Sequence, residues 1–246
     1  MKKGVSIINI EGIGNVQFTF KNNAKQYIIK INRTYPHVRV TIPKRGTRKF
    51  AINLVTRRKD WIIDKLDNIK QITKIKFGTF VCNNYFILII ERAQTNGNTI
   101  MGSYNNKTKE GNIKIPLNAD IQKQSTINSF NYIRDCIIKS AAEQILPPIL
   151  QEVSNNINIP YKKLVISSAK TSWGTCNGKG ISLNKNLILL PEHLIKYIMI
   201  HELCHLIHLN HQEKFHLLVN EFVNGKEKEY LKQLKMVSRE ICFLIN

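Results

Sequence analysis

His201-Glu202-Leu203-Cys204-His205 places two imidazoles four residues apart with a carboxylate beside the first. On a helix, residues i and i+4 stack one turn above the other on one face, so both rings can reach a single ion. Zinc favours nitrogen ligands in a tetrahedral arrangement, and a catalytic site uses three protein ligands so that water keeps the fourth position. Glu202 lies where it can take a proton from that water instead of binding the ion. The chemistry implied is hydrolysis.

A third ligand has three candidates. His211 follows His201 by ten residues, and Asn210 can help the chain leave the helix and swing His211 back toward the ion. His208 lies three residues after His205 on the same helical face, but three ligands on one straight helix crowd an ion poorly. Glu221, on a later helix, is the outside choice. Spacing favours His201, His205 and His211. His193 and His216 read as surface or packing residues, and His37 belongs to a strand.

The element carrying these residues starts near Pro191, which suits the first position of a helix. Ile195, Ile198, Met199, Ile200, Leu203 and Leu206 make it apolar around its length, as in a buried helix. Two histidines and a glutamate are costly in such a place without partners, and a metal would satisfy all three. The competing reading is two hydrogen-bonded core histidines beside a chance glutamate.

Earlier in the chain, Tyr27 to Asn32 and His37 to Pro43 alternate apolar with polar, predicting a half-buried hairpin turned at Asn32 to Pro36. From Thr47, a candidate N-cap, the spacing of Phe50, Leu54, Trp61, Ile62 and Leu66 predicts one helix. Strands follow from Gly78 to about Ile115, interrupted by a loop from Asn96 to Gly111. A polar joint, Pro116 to Ser125, leads into an amphipathic helix marked by Phe130, Ile133, Ile137, Ala141 and Ile145. Pro147-Pro148 should break or kink it, with a short helix continuing to about Asn155. Strands are expected at Leu164 to Ser168 and through Ile181 and Leu183. The fold class expected is α+β, with a strand-rich region at 1–118 and a helical domain with a small sheet at 119–246 that carries the candidate metal ligands.

The 246 residues suffice for a sizeable core. The five cysteines are odd in number and contain no CxxC pair, which fits reduced thiols in a cytosol better than a disulfide framework. Met1-Lys2-Lys3 begins like a signal peptide, but Asn9 and Glu11 interrupt the apolar stretch. No apolar run approaches the roughly 20 residues of a membrane-spanning helix. A formal charge of +20 favours nucleic acid, anionic surfaces or acidic proteins as neighbours. The abundance of Lys, Asn and Ile, as in proteins of A/T-rich genomes, is a blander cause, and the charge reads as spread along the chain.

Lys170-Thr171-Ser172-Trp173-Gly174-Thr175-Cys176, then Ile181-Ser182-Leu183-Asn184, His201 to His205, and Asn210-His211 with Phe215 resemble the YgjP-like metallopeptidase domain, and more distantly SprT-like and minimal zincin peptidases. Val38 to Pro43 and Trp61-Ile62 resemble that family's N-terminal strand and helix. Ser172 stands where the family usually has arginine, and His216 where it usually has tryptophan. The resemblance implies a zincin in which Zn2+ polarises the scissile carbonyl of a peptide or protein substrate while Glu202 deprotonates the attacking water and returns the proton to the leaving amine. The alternative is a basic nucleic-acid-associated protein with a structural zinc, closed by Cys176 or His208 as fourth ligand.

Overall fold

The computed structural model describes residues 4–32, 37–72, 75–95, 97, 99–169, 172–178, 180–241 and 244, with backbone alone for 68–72. It is α+β and divides into two compact units, Met1–Lys74 and Ile75–Asn246.

In the first unit, β1 (Val5–Ile10), β2 (Gly14–Lys21), β3 (Ile28–Ile31) and β4 (Val38–Pro43) form a sheet in the order β1-β2-β4-β3. The expected hairpin is the antiparallel pair β3/β4; residues 33–36 of its turn lie outside the described residues. β2 and β4 run parallel. Alternation puts Val16, Phe18, Val38, Val40 and Ile42 on one face, where they form a core with Ala51, Val55 and Ile62.

The stretch expected as one helix is two, α1 (Arg48–Arg57) and α2 (Lys59–Ile72). Thr47 caps the first, its hydroxyl accepting from the Phe50 N–H at 3.2 Å. Arg58, with φ −103° and ψ 17°, interrupts the run. Ala51, Val55 and Ile62, at spacings of four and seven, face inward and are buried, while Phe50 is 54% and Trp61 42% exposed.

The second unit opens with β5 (Gly78–Asn83), β6 (Phe86–Ala93), β7 (Met101–Asn105) and β8 (Glu110–Pro116), ordered β5-β6-β8-β7. The segment expected as a loop from Asn96 to Gly111 therefore contains β7 and the start of β8; Asn96 and Asn98 lie outside the described residues. The polar joint after β8 is tied down, because the Arg92 guanidinium donates to the carbonyls of Pro116, Leu117 and Ala119 at 2.8, 3.0 and 2.8 Å.

Helix α3 runs from Gln124 to Ile157 without stopping at Pro147 and Pro148. Each proline removes a backbone donor and costs about 3 kcal/mol inside a helix. Ile145, Leu146, Ile149, Leu150 and Val153 on either side are all buried, and that burial offsets the cost. Asn158, with φ 56°, ends the helix in the left-handed conformation. β9 (Leu164–Ser167), β10 (Gly174–Cys176) and β11 (Ile181–Asn184) form a small sheet ordered β10-β11-β9. A 3-10 turn, Lys185–Leu189, leads to α4 (Glu192–Cys204), followed by α5 (Glu213–Phe222) and α6 (Glu227–Glu240). One apolar cluster joins β6, β8, α3 and α4. Among the described residues no helix is long and apolar enough to cross a membrane.

Candidate metal centre

Helix α4 buries Leu194, Ile195, Tyr197, Ile198, Met199, Ile200, Leu203 and Cys204, which fixes its rotation and brings His201 and Glu202 to its C-terminal turn. His205 is the C-cap residue. The chain then turns through 206–210 and returns His211 against the helix just before α5. The Nε2 atoms of His211 and His201 are 3.1 Å apart, and those of His211 and His205 are 3.2 Å apart. Among the described residues this is the one group of three or more metal-binding side chains whose donor atoms lie within 4.8 Å of one another. His208 and Glu221 are outside it, as is Cys176.

A cation fits this arrangement. The His205 Nδ1 faces the His208 carbonyl at 3.0 Å. A carbonyl only accepts, so the proton sits on Nδ1 and the lone pair on Nε2 points at the other histidines. Imidazole lone pairs converging at these distances repel unless a proton or a metal lies between them. Burial, followed by the fields of His205, His211 and His216, depresses the His201 pKa to about 4. Burial also lowers that of His205. Neutral imidazoles are the form that binds metal.

Phe215, the third residue of α5, is fully buried beneath the three rings. Its ring centroid lies 4.9 Å from His201, 4.4 Å from His205 in a stacked arrangement, and 4.9 Å from His211. In the sequence Phe215 stands out only as part of a family motif; its spacing alone carries no sign that it underlies all three histidines.

Glu202 is 5% exposed and its Oε2 is buried with no hydrogen-bond partner. Burial raises its pKa to about 7, into the range suited to a proton acceptor at neutral pH. The carboxylate abuts Gly174 of β10. The loop before β10 is held by Asn184, whose side-chain amide donates to the carbonyls of Ala169 and Ser172 at 2.8 Å each, while its backbone N–H donates to Trp173. Lys170 and Thr171 of that motif lie outside the described residues. Asn184 is thus a positioning residue, a role that its place in the Ile-Ser-Leu-Asn motif does not reveal.

His216 is not an isolated surface residue. Its Nδ1 lies 2.9 and 3.0 Å from the two oxygens of Glu227, which is 4% exposed. Asn220 donates to the same carboxylate at 3.0 Å and accepts from the Glu227 N–H at 3.2 Å. These contacts tie α5 to α6 next to the histidine cluster, with the His211 and His216 ring centroids 6.3 Å apart.

Two histidines four residues apart at the end of a buried helix, a third from the following turn and a buried glutamate between them form, on an α+β scaffold, a cluster that could hold a metal ion. The chain belongs to the YgjP-like metallopeptidase domain family, whose sequence model matches residues 25–236. Comparison with curated proteins finds no match. A crystal structure of the metallopeptidase zymogen abylysin from Pyrococcus abyssi is similar at 26% identity over 37% of this chain and 93% of that one, with a TM-score of 0.35.

Proposed function

We propose that the protein is a zinc-dependent endopeptidase in which His201, His205 and His211 hold one Zn2+ and Glu202 is the general base. The observation that carries this reading is the convergence of three imidazole nitrogens one residue from a buried, unpartnered carboxylate in a member of a metallopeptidase family. Three nitrogen donors and no fourth protein ligand among the described residues suit zinc in an open site better than a closed structural one. Bound there, the ion would supply a Lewis acid for the scissile carbonyl.

The chain's own residues supply the proton chemistry. Glu202 removes a proton from the attacking water as its oxygen bonds to the carbonyl carbon. The C–N bond then breaks, and Glu202 delivers the proton to the departing amine. Phe215 and the His208 carbonyl hold the rings in place. The four described cysteines are free thiols, which supports work in a reducing cytosol.

The test is Glu202→Gln, which keeps size and removes the base. It should retain about one zinc per chain by elemental analysis and lose at least about 10²–10⁴-fold of the activity on unfolded protein substrates. Loss of zinc would make Glu202 a ligand or brace, and retained activity would remove it from the reaction.

A further inference from the structure

The charge of this chain is not evenly spread. Met1–Lys74 contains 17 basic and four acidic residues, a net of +13, against 20 and 13, a net of +7, for the much longer Ile75–Asn246. Six of the nine arginines lie in the first unit. A background of lysine enrichment would load both units in proportion to their lengths, and it does not account for arginine.

Within that unit the charge is sorted by position. The four strands hold no acidic residue. Three of the four acids, Asp60, Asp64 and Asp67, are on α2, and Glu11 lies in the turn joining β1 to β2. Because β2 and β4 are parallel with Lys21 opposite Pro43, the ends of both strands fall at one end of the sheet, opposite to Glu11. Lys21, Lys44, Arg45, Arg48 and Lys49 gather at that end, and all five are exposed.

The turn bearing them is braced. Gly46 N–H donates to the Pro43 carbonyl at 2.8 Å, and Thr47 N–H donates to the Tyr27 hydroxyl at 2.7 Å. A Cβ at Gly46 would come within 2.5 Å of that hydroxyl, and the Tyr27 ring packs on Phe50 at 4.8 Å. Arg48 and Lys49 also sit in the first turn of α1, where the helix dipole disfavours cations, so helix stability does not explain their presence.

The outer face of the sheet continues the surface. Lys30 of β3 is opposite Arg39 of β4, and both are exposed. Beside them on the same face are Thr41, Thr19 and Gln17, neutral groups able to hydrogen-bond.

We infer that this face and the adjoining Lys44-to-Lys49 turn form a binding surface for the phosphate backbone of nucleic acid. Arginines and lysines on a preset frame among neutral polar groups suit a chain of phosphates. An anionic membrane would call for large apolar side chains among the cations. Here Val5 and Ile7 are on the edge strand β1, separated from Arg39 by β2, and Phe50, 54% exposed beside Lys49, is packed on the Tyr27 ring at 4.8 Å and stands as a single large apolar group among the cations. The inference is independent of the peptidase reading, because it concerns binding and a different unit of the chain.

The test uses the full chain and fluorescein-labelled oligonucleotides, single- and double-stranded, with anisotropy read across a salt series. The wild type should bind both, with affinity falling steeply as salt rises. Replacing Lys44, Arg45, Arg48 and Lys49 together by Gln should weaken binding at least about tenfold near 100 mM salt and flatten the log–log salt slope by about 0.7–0.9 for each phosphate no longer neutralised. The pair Lys30→Gln/Arg39→Gln, on the sheet itself, should weaken it about threefold or more. Removing the same charge from the second unit, with Lys107, Lys162, Lys232 and Lys235 changed to Gln, should cost less than about threefold. Equal losses from both quadruple variants would reduce the effect to net charge and overturn the assignment. Absence of binding near 50 mM salt, or binding to phosphatidylserine vesicles without binding to oligonucleotides, would overturn it too.

Discussion

A Cβ at Gly174 would lie 2.7 Å from both Cγ and Oε1 of Glu202. Real Cβ contacts are not that short, so the strand and the carboxylate can be this close only because residue 174 has no side chain. β10 runs antiparallel to β11, whose Asn184 secures the loop before it, so the backbone at Gly174 has little room to retreat.

Gly174→Ala should therefore displace the Glu202 carboxylate and leave the three histidines in place. The expected result is full zinc content with kcat lowered about a hundredfold, as misplacement of a catalytic group by about 1 Å can cost. Elemental analysis and steady-state kinetics check it. Unchanged kcat would mean that the carboxylate has another way to reach its working position.

His208 contributes to the centre through its backbone carbonyl, which fixes the His205 tautomer. His208→Ala should then keep zinc affinity within about threefold, whereas His211→Ala should lower it by more than about a hundredfold, beyond the range of losses from outer-shell partners. Competition with a chromophoric chelator measures both. The reverse ranking would transfer the third ligand to His208.

The metal-free protein should show two opposed pH dependences. With its pKa raised to about 7 from 4.5, Glu202 keeps a proton in the folded chain that the unfolded chain has released. Stability from this group falls as pH rises through that window, by about 3 kcal/mol at most. With its pKa lowered to about 4 from 6.5, folded His201 holds fewer protons than the unfolded chain, so stability from it rises across about the same range. Glu202→Gln removes the falling limb. Urea unfolding in chelator should show the variant gaining on the wild type between pH 4.5 and 7, and parallel profiles would contradict the burial assigned to Glu202.

Fragments can test where the metal-binding part becomes self-sufficient. All proposed ligands follow residue 119, but Phe86, Leu88, Ile90, Ile113 and Ile115 of β6 and β8 are buried in the same cluster as α3 and α4. A fragment of 75–246 should unfold cooperatively and bind zinc. One starting near residue 120 exposes the face of α3 that those strands cover, and it should lack a cooperative transition by calorimetry. If the shorter fragment folds and binds zinc as tightly, the strands are dispensable.

The sequence by itself determined the parts whose signals are local. Spacings of four and ten residues among His201, His205 and His211, with Glu202 between, sufficed to select a cluster that the fold brings together. Val38, Val40 and Ile42 alternate because a half-buried strand repeats every two residues, and that pattern was readable without a partner strand. The apolar circumference of α4 announced a buried helix for the same reason.

Other features depended on what the chain meets from a distance, and only the tertiary structure decided them. Gly174 approaches Glu202 from a separate strand, and Phe215 supports three histidines from the next helix; no periodicity records either approach. Pro147-Pro148 has a local preference to interrupt a helix, which the burial of its neighbours on both sides overrides. The spacing of Phe50 and Trp61 matched a helix face, yet both point outward, since burial of Ala51, Val55 and Ile62 against the sheet sets the rotation of both helices. The excess of basic residues in 1–74 could be counted in the sequence, but only the parallel pairing of β2 and β4 placed Lys21 beside Lys44 and Arg45. Pairing between strands distant in sequence depends on the free energy of the whole sheet, which no short window of residues contains.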